Sequence, residues 1–286
     1  MTDRLRPLWD FDDLDGSEHR FRDLLETETD SAARAEVLTQ LARVEGLRGD
    51  FDTGERLLEE AAAAGASDAV RARIDLERGR LRRSSGDEEG ALPLFESAFE
   101  TASESGEGFL AADAAHMAAL ASLGRDGFVA WTERGIALAE SNEDARYWLG
   151  PLLNNLGWEH YEAGGYGEAL VAFERALAER ERAPESAGAI AIARYAVAKT
   201  LRALGRPDEA VAHIEAASTS DADDGWFQEE LAETYAALGR VGQAAAHAQR
   251  ALELLPGADP AFESDETRKS RLQTLATASG DRARRT

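Results

Sequence analysis

Residues 156–177 read Leu156-Gly157-Trp158-Glu159-His160-Tyr161-Glu162-Ala163-Gly164-Gly165-Tyr166-Gly167-Glu168-Ala169-Leu170-Val171-Ala172-Phe173-Glu174-Arg175-Ala176-Leu177, and this stretch decides the fold. Leu153, Leu156, His160 and Ala163 fall on one helical stripe, and Ala169, Leu170, Phe173, Ala176 and Leu177 fall on a second. Between the stripes, Gly164-Gly165 supplies the backbone freedom that a tight reversal needs. Neither helix can bury its apolar stripe alone, so the hairpin has to be one unit of a stack.

The same pattern recurs in weaker form. Aligned on the turn glycine and a small residue five positions later, it appears as Gly49 with Gly54, Gly86 with Ala91, Gly205 with Ala210, and Gly239 with Ala244. Successive turn glycines are 37, 78, 41 and 34 residues apart. The 78-residue interval is two units of about 39. Its hidden unit is visible as Ala111–Leu120 followed by Phe128–Trp131 and Ile136–Leu138, with an irregular turn, which makes six hairpins between about Ser31 and Leu255.

The spacing of Leu156, Gly157, Tyr161, Tyr166, Ala169, Phe173 and Ala176 closely resembles the tetratricopeptide repeat, whose unit is a helix, a tight turn and an antiparallel helix. The resemblance implies an all-α, right-handed superhelical solenoid of about six antiparallel helix hairpins with terminal capping helices. No alternating strand pattern of useful length competes with this reading. Phe95, Trp131, Phe173 and Leu252 supply bulk between units that are otherwise rich in alanine. Local signals agree: Asp52 precedes Glu55 as in a capping box, Pro207 suits a first helical turn, and Pro256 ends the last repeat helix.

The chain therefore divides into an acidic segment and capping helix over 1–30, a repeat array over 31–257, a closing helix over 258–278 with Asp265 to Leu275 at its centre, and a basic tail over 279–286. In the first segment Phe21, Leu24 and Leu25 have helical spacing after the candidate cap Ser17. A docking peptide built on Trp9 and Phe11 is the alternative use of that segment.

Composition bounds the function. The net charge of -23, from 55 acidic against 32 basic residues, opposes phosphate contacts and disfavours nucleic acid as a partner. There is no cysteine, hence no disulfide, thiolate nucleophile or cysteine metal site. Met1 to Asp15 lacks the charged and apolar regions of a secretory signal, and no apolar run approaches a membrane span, so a cytoplasmic, membrane-free protein is expected. No phosphate-binding loop, nucleophile elbow or metalloprotease His pair occurs. His213 and His247, 34 residues apart, are explained by repeat duplication, so no metal and no cofactor is expected.

In the resembled family the first helix of each unit lines the groove. Carried over by alignment, this places five pairs in one column: Glu77 with Arg80, Asp113 with His116, Asn155 with Trp158, Ala196 with Lys199, and Glu230 with Glu233. With Asn154, Tyr161, Tyr195 and Arg202 one turn away, the candidate groove residues are Arg80, Asp113, His116, Asn154, Asn155, Trp158, Tyr161, Tyr195, Lys199 and Arg202. Trp158 is either an anchor or packing between helices, and Asp113 with His116 is a satisfied pair, a groove contact or an acid and base couple. The leading expectation is a non-enzymatic module that holds an extended peptide or partner helix, with Trp158 as anchor and Lys199, Arg202 and Arg80 facing acidic groups. The alternative is a regulatory or sensor subunit whose groove takes a small ligand or signalling peptide. Oligomeric state stays open.

Overall fold

The computed structural model describes residues 3–65, 67–182, 187–221 and 223–282. Among the described residues there are fourteen α-helices and no strand. They form two units, Met1–Leu152 and Leu153–Thr286.

The first unit holds α1 (Leu14–Thr27) and three hairpins: α2 (Ser31–Arg48) with α3 (Phe51–Ala64), α4 (Asp68–Ser84) with α5 (Glu88–Ser105), and α6 (Gly108–Ala121) with α7 (Arg125–Ser141). A short 3-10 stretch, Glu143–Trp148, follows. The second unit holds the greater part of α8 (Leu149–Glu162), then α9 (Tyr166–Arg182), α10 (Ala187–Ala203), α11 (Pro207–Ser220), α12 (Gly225–Ala237), α13 (Val241–Ala258) and α14 (Glu266–Arg282). These twelve helices from α2 to α13 are the six expected hairpins.

The turns explain why the glycine pattern was readable. Gly49, Gly86, Gly164, Gly205 and Gly239 all have φ between 71° and 90°, a left-handed conformation that side chains resist. At each, the glycine N–H donates to the carbonyl three residues back, and the next N–H donates to the carbonyl five residues before itself, as from Gly165 to His160 and from Arg206 to Leu201. That double closure satisfies the orphan carbonyls of the first helix. The third hairpin turns differently: Ser122 is extended, and the left-handed glycine, Gly124 at φ 81°, caps the start of α7 instead. This displacement is why its turn looks irregular in sequence.

The small residues five positions after the turn glycines are buried: Ala91, Ala169 and Ala210 are fully covered, as is nearly all of Ala244. Seven residues before two of the turns lie Gly79 and Gly157, where an added Cβ would come within 2.5 Å of the Phe95 and Phe173 rings. Those two phenylalanines are wholly buried. Glycine on the first helix thus makes the hole that the aromatic of the second helix fills.

Helix starts use the acidic composition. Asp13, Asp30, Asp50, Asp87, Asp224 and Asp265 each accept a backbone N–H at the start of the following helix, and Ser67 does so for α4. The cap of α3 is therefore Asp50 rather than Asp52, which lies in the first turn. Likewise Ser17 is not a cap. It is buried inside α1, exchanging two 2.8 Å hydrogen bonds with the Asp10 backbone, while Asp13 caps the helix. Pro256 does not end α13, which runs on to Ala258, and Asp259 still donates to Leu255. The closing helix α14 extends through Arg282 beyond the expected Leu275, so the expected tail begins inside it, and residues 283–286 lie outside the described ones.

In the first unit Phe21, Leu38, Leu41, Leu58, Val70 and Leu81 form one core cluster, and Leu76, Phe95, Leu110 and Met117 join in a second. Phe99 and Trp131 meet edge to face at 5.3 Å beside it. In the second unit Phe173, Leu177, Val197, Leu201, Ile214 and Phe227 share one cluster. Leu255, Phe262 and Leu272 share another, which seats α14.

Candidate functional site

The first helices of the second unit carry most of the expected groove residues. Trp158 on α8 is half-buried, with its ring edge-on to Phe173 at 5.0 Å and to Tyr161 at 5.5 Å, and tilted against Tyr195 at 6.3 Å. It is thus both packing and surface. Tyr195 on α10 is buried, and burial pushes its phenol well above the usual range. Lys199, one turn on, lies 5.3 Å from the Tyr195 centroid and 6.0 Å from that of Trp158, and donates to the Tyr195 hydroxyl at 3.0 Å. Among the described residues Lys199 forms no ion pair, and burial lowers its pKa against the pull of Glu230 and Glu229.

Arg202 is differently placed. Its guanidinium makes two bonds to Glu230 on α12, at 2.5 and 2.9 Å, and Glu230 is buried. The expected role of pairing with an acidic partner is filled within the chain, because a buried carboxylate requires the nearest cation. Glu233 is taken by Arg271 of α14, and Glu229 by Arg268. Asn154 and Asn155 lie one turn earlier on α8, half-buried, and the Asn154 Oδ1 is buried with no partner. Trp158, Tyr161, Tyr195, Lys199 and Arg202 thus come together, with the asparagines at their edge.

The other three candidates are in the first unit. Arg80 on α4 donates to Glu77 at 2.6 Å and to Asp113 on α6, and both carboxylates are buried. Arg80 is committed within the chain, like Arg202. His116 packs on the Trp148 ring at 5.3 Å, and burial, outweighing the nearby Asp113, lowers its pKa to about 4. A histidine of such low basicity, beside a carboxylate already bonded to Arg80, is a poor general base at neutral pH.

Over this second face lies the N-terminal segment. Asp3 takes two bonds from Arg73 at 2.8 and 3.0 Å, Trp9 donates to Gln40 at 2.8 Å, and Arg6 donates to the Tyr147 hydroxyl at 3.0 Å. Arg43 stands 5.3 Å from both the Trp9 and Phe11 rings. Gln40 and Arg43 were absent from the expected column, yet they stand nine and six residues before Gly49, as Glu77 and Arg80 do before Gly86. The same count would have found them. Arg73 is one turn before Glu77, whereas Tyr147 and Trp148 belong to a 3-10 stretch with no repeat counterpart.

Among the described residues no three His, Asp or Glu side chains are grouped to hold a metal ion, and no helix is long and apolar enough to cross a membrane. His247 instead bonds Gln228 at 2.7 Å and stacks on Tyr235.

Residues 152–183 match the tetratricopeptide repeat family model. The fold is similar to that of RapI in its apo form, with a TM-score of 0.69 at 11% identity over 96% of this chain and 80% of that one. It is similar to BtubC from P. vanneervenii, with a TM-score of 0.54 at 20% identity over 77% and 91%. NprR in complex with its cognate peptide NprX gives a TM-score of 0.52 at 15% identity over 96% and 82%. No curated protein matches the chain. One repeat of that family is therefore present at residues 152–183, and the other hairpins follow the same helix–turn–helix plan, so the fold is that of a tetratricopeptide-like repeat array.

Proposed function

We propose that this protein is a non-enzymatic interaction module that holds an extended peptide or a partner helix against the first helices of its second unit. Lys199 carries the reading. A half-buried ammonium over two aromatic rings, with no carboxylate paired to it, is a standing demand for an acidic group from outside. Trp158 and Tyr161 supply aromatic area beside it, the kind that dominates recognition energy. Arg202, fixed by Glu230, frames the site rather than gripping the partner. That a fold of this kind takes a peptide is illustrated by NprR with NprX. The acidic balance directs the module to protein rather than nucleic acid, and the absence of cysteine fits a reducing, cytoplasmic setting.

The test is fluorescence anisotropy with acidic peptides selected from a random display library against the full chain. Trp158→Ala and Lys199→Met are expected to weaken binding at least about ten-fold, a loss of about 1.4 kcal/mol. Val171→Ala, on the exposed side of α9, leaves it unchanged. Equal binding by all three variants contradicts the proposal. Thermal shifts with small metabolites but with no peptide would favour the sensor reading instead.

A further inference from the structure

The N-terminal segment makes its contacts as a bound peptide does. Only Arg6–Leu8 has regular structure, a single 3-10 turn, and the contacts of Asp3, Arg6 and Trp9 with the helices beneath run through side chains. Leu5 is wholly buried in the core cluster with Leu38 and Leu41, and beside it lies an ion pair: Asp3 and Arg73 are each at least nine-tenths buried and share two hydrogen bonds. Among the described residues Arg73 has no other ion pair. When the segment leaves, Arg73 loses its paired carboxylate and keeps only the more distant Glu36 and Glu77, so the vacated place favours an anion. Next along the segment, Trp9 and Phe11 stack at 4.8 Å beneath the Arg43 guanidinium, with Gln40 taking the indole N–H.

The fit is incomplete. A cavity of about 90 Å³ remains among Trp9, Phe11, Glu77, Phe109 and Trp148. Two buried polar atoms in the residues lining it, Glu77 Oε2 and Trp148 Nε1, have no hydrogen-bond partner, and Phe11 is 46% exposed. A segment serving only to complete the fold would be expected to satisfy them.

We propose that Asp3–Phe11 is an internal ligand covering a second docking site, formed by α2, α4 and α6 of the first unit, for a partner peptide that presents an acidic side chain ahead of a Trp–x–aromatic pair. The tethered segment holds the site by its high local concentration, and a partner displaces it by matching Arg73 and Arg43 while filling the remaining cavity. The proposal stands apart from the reading of the second unit, which concerns other residues.

The test uses the full chain and a fluorescein-labelled synthetic peptide of residues 2–13. The Asp3→Asn/Trp9→Ala double variant, which loosens the tethered segment, is expected to bind this peptide at least ten-fold more tightly than the unsubstituted chain, and to regain melting temperature with it. Adding Arg73→Gln abolishes the gain in binding, whereas Val171→Ala, on the exposed side of α9, leaves it unchanged. Absence of binding to a folded double variant overturns the proposal, as does equal binding by both chains. A double variant that unfolds and is not restored by the peptide also overturns it, since the segment is then part of the fold. A dimer in light scattering that Arg73→Gln abolishes makes the occupant a second copy, and overturns the assignment to a partner.

Discussion

Arg202 and Lys199 sit one turn apart on α10, and their neighbours give them opposite roles. Arg202 is bonded to a buried glutamate, so Arg202→Met is expected to strand the Glu230 charge and destabilise the protein by about 3 kcal/mol, read by urea unfolding. Lys199→Met removes an ammonium that has no paired carboxylate, and is expected to change stability by less than about 1 kcal/mol while weakening peptide binding. The two charges look alike in sequence. What separates them is whether a carboxylate from the next repeat reaches them, and that depends on how helices cross, not on spacing along one helix. For the same reason Arg80 reads as available in sequence, although Asp113 of the next repeat joins Glu77 in enclosing it. His116 supplies a pH test. Its folded pKa of about 4 lies below its ordinary value near 6.5, so the unfolded chain takes up the proton first. Stability present above pH 6.5 is lost as the pH falls towards 4, at a slope on the order of 1 kcal/mol per unit. In His116→Phe that part of the slope is expected to vanish when melts are compared across the window.

The hairpin is the element that sequence describes best, because its determinants are local. A left-handed glycine, a small residue five positions on and an apolar stripe at helical period each act within one turn of the chain. Gly157 shows the packing consequence. Gly157→Val pushes a branched side chain into the Phe173 ring and is expected to lose about 2 kcal/mol or more in thermal or urea unfolding, whereas Gly167→Ala, with open space around it, is neutral or better. The third hairpin was readable only as apolar blocks, since its glycine caps α7 rather than closing α6. Cap positions were misread by a few residues for a related reason: this chain has an aspartate near almost every helix start, and only geometry selects the one that meets the N–H groups.

For the whole molecule, a charge of -23 makes self-repulsion a steady opponent of the folded state. Raising sodium chloride from about 10 mM to 500 mM shortens the Debye length to a few ångströms, and is expected to raise the melting temperature while weakening acidic-peptide binding at Lys199. A melting temperature that falls with salt would show that the surface ion pairs outweigh the repulsion. Function was less legible than fold at this scale. The resemblance points to the first helices as the expected recognition face, but the N-terminal segment lying on one such face answers to no repeat period, so in sequence Trp9 and Phe11 offer a docking peptide only as an alternative.

The most direct measurement is hydrogen–deuterium exchange of the full chain with and without a saturating acidic peptide selected from the display library. New protection is expected on α8, α10 and α12 of the second unit, with α9, α11 and α13 unchanged. Protection confined to the second helices of the hairpins, or to none of them despite measured binding, would contradict this expectation.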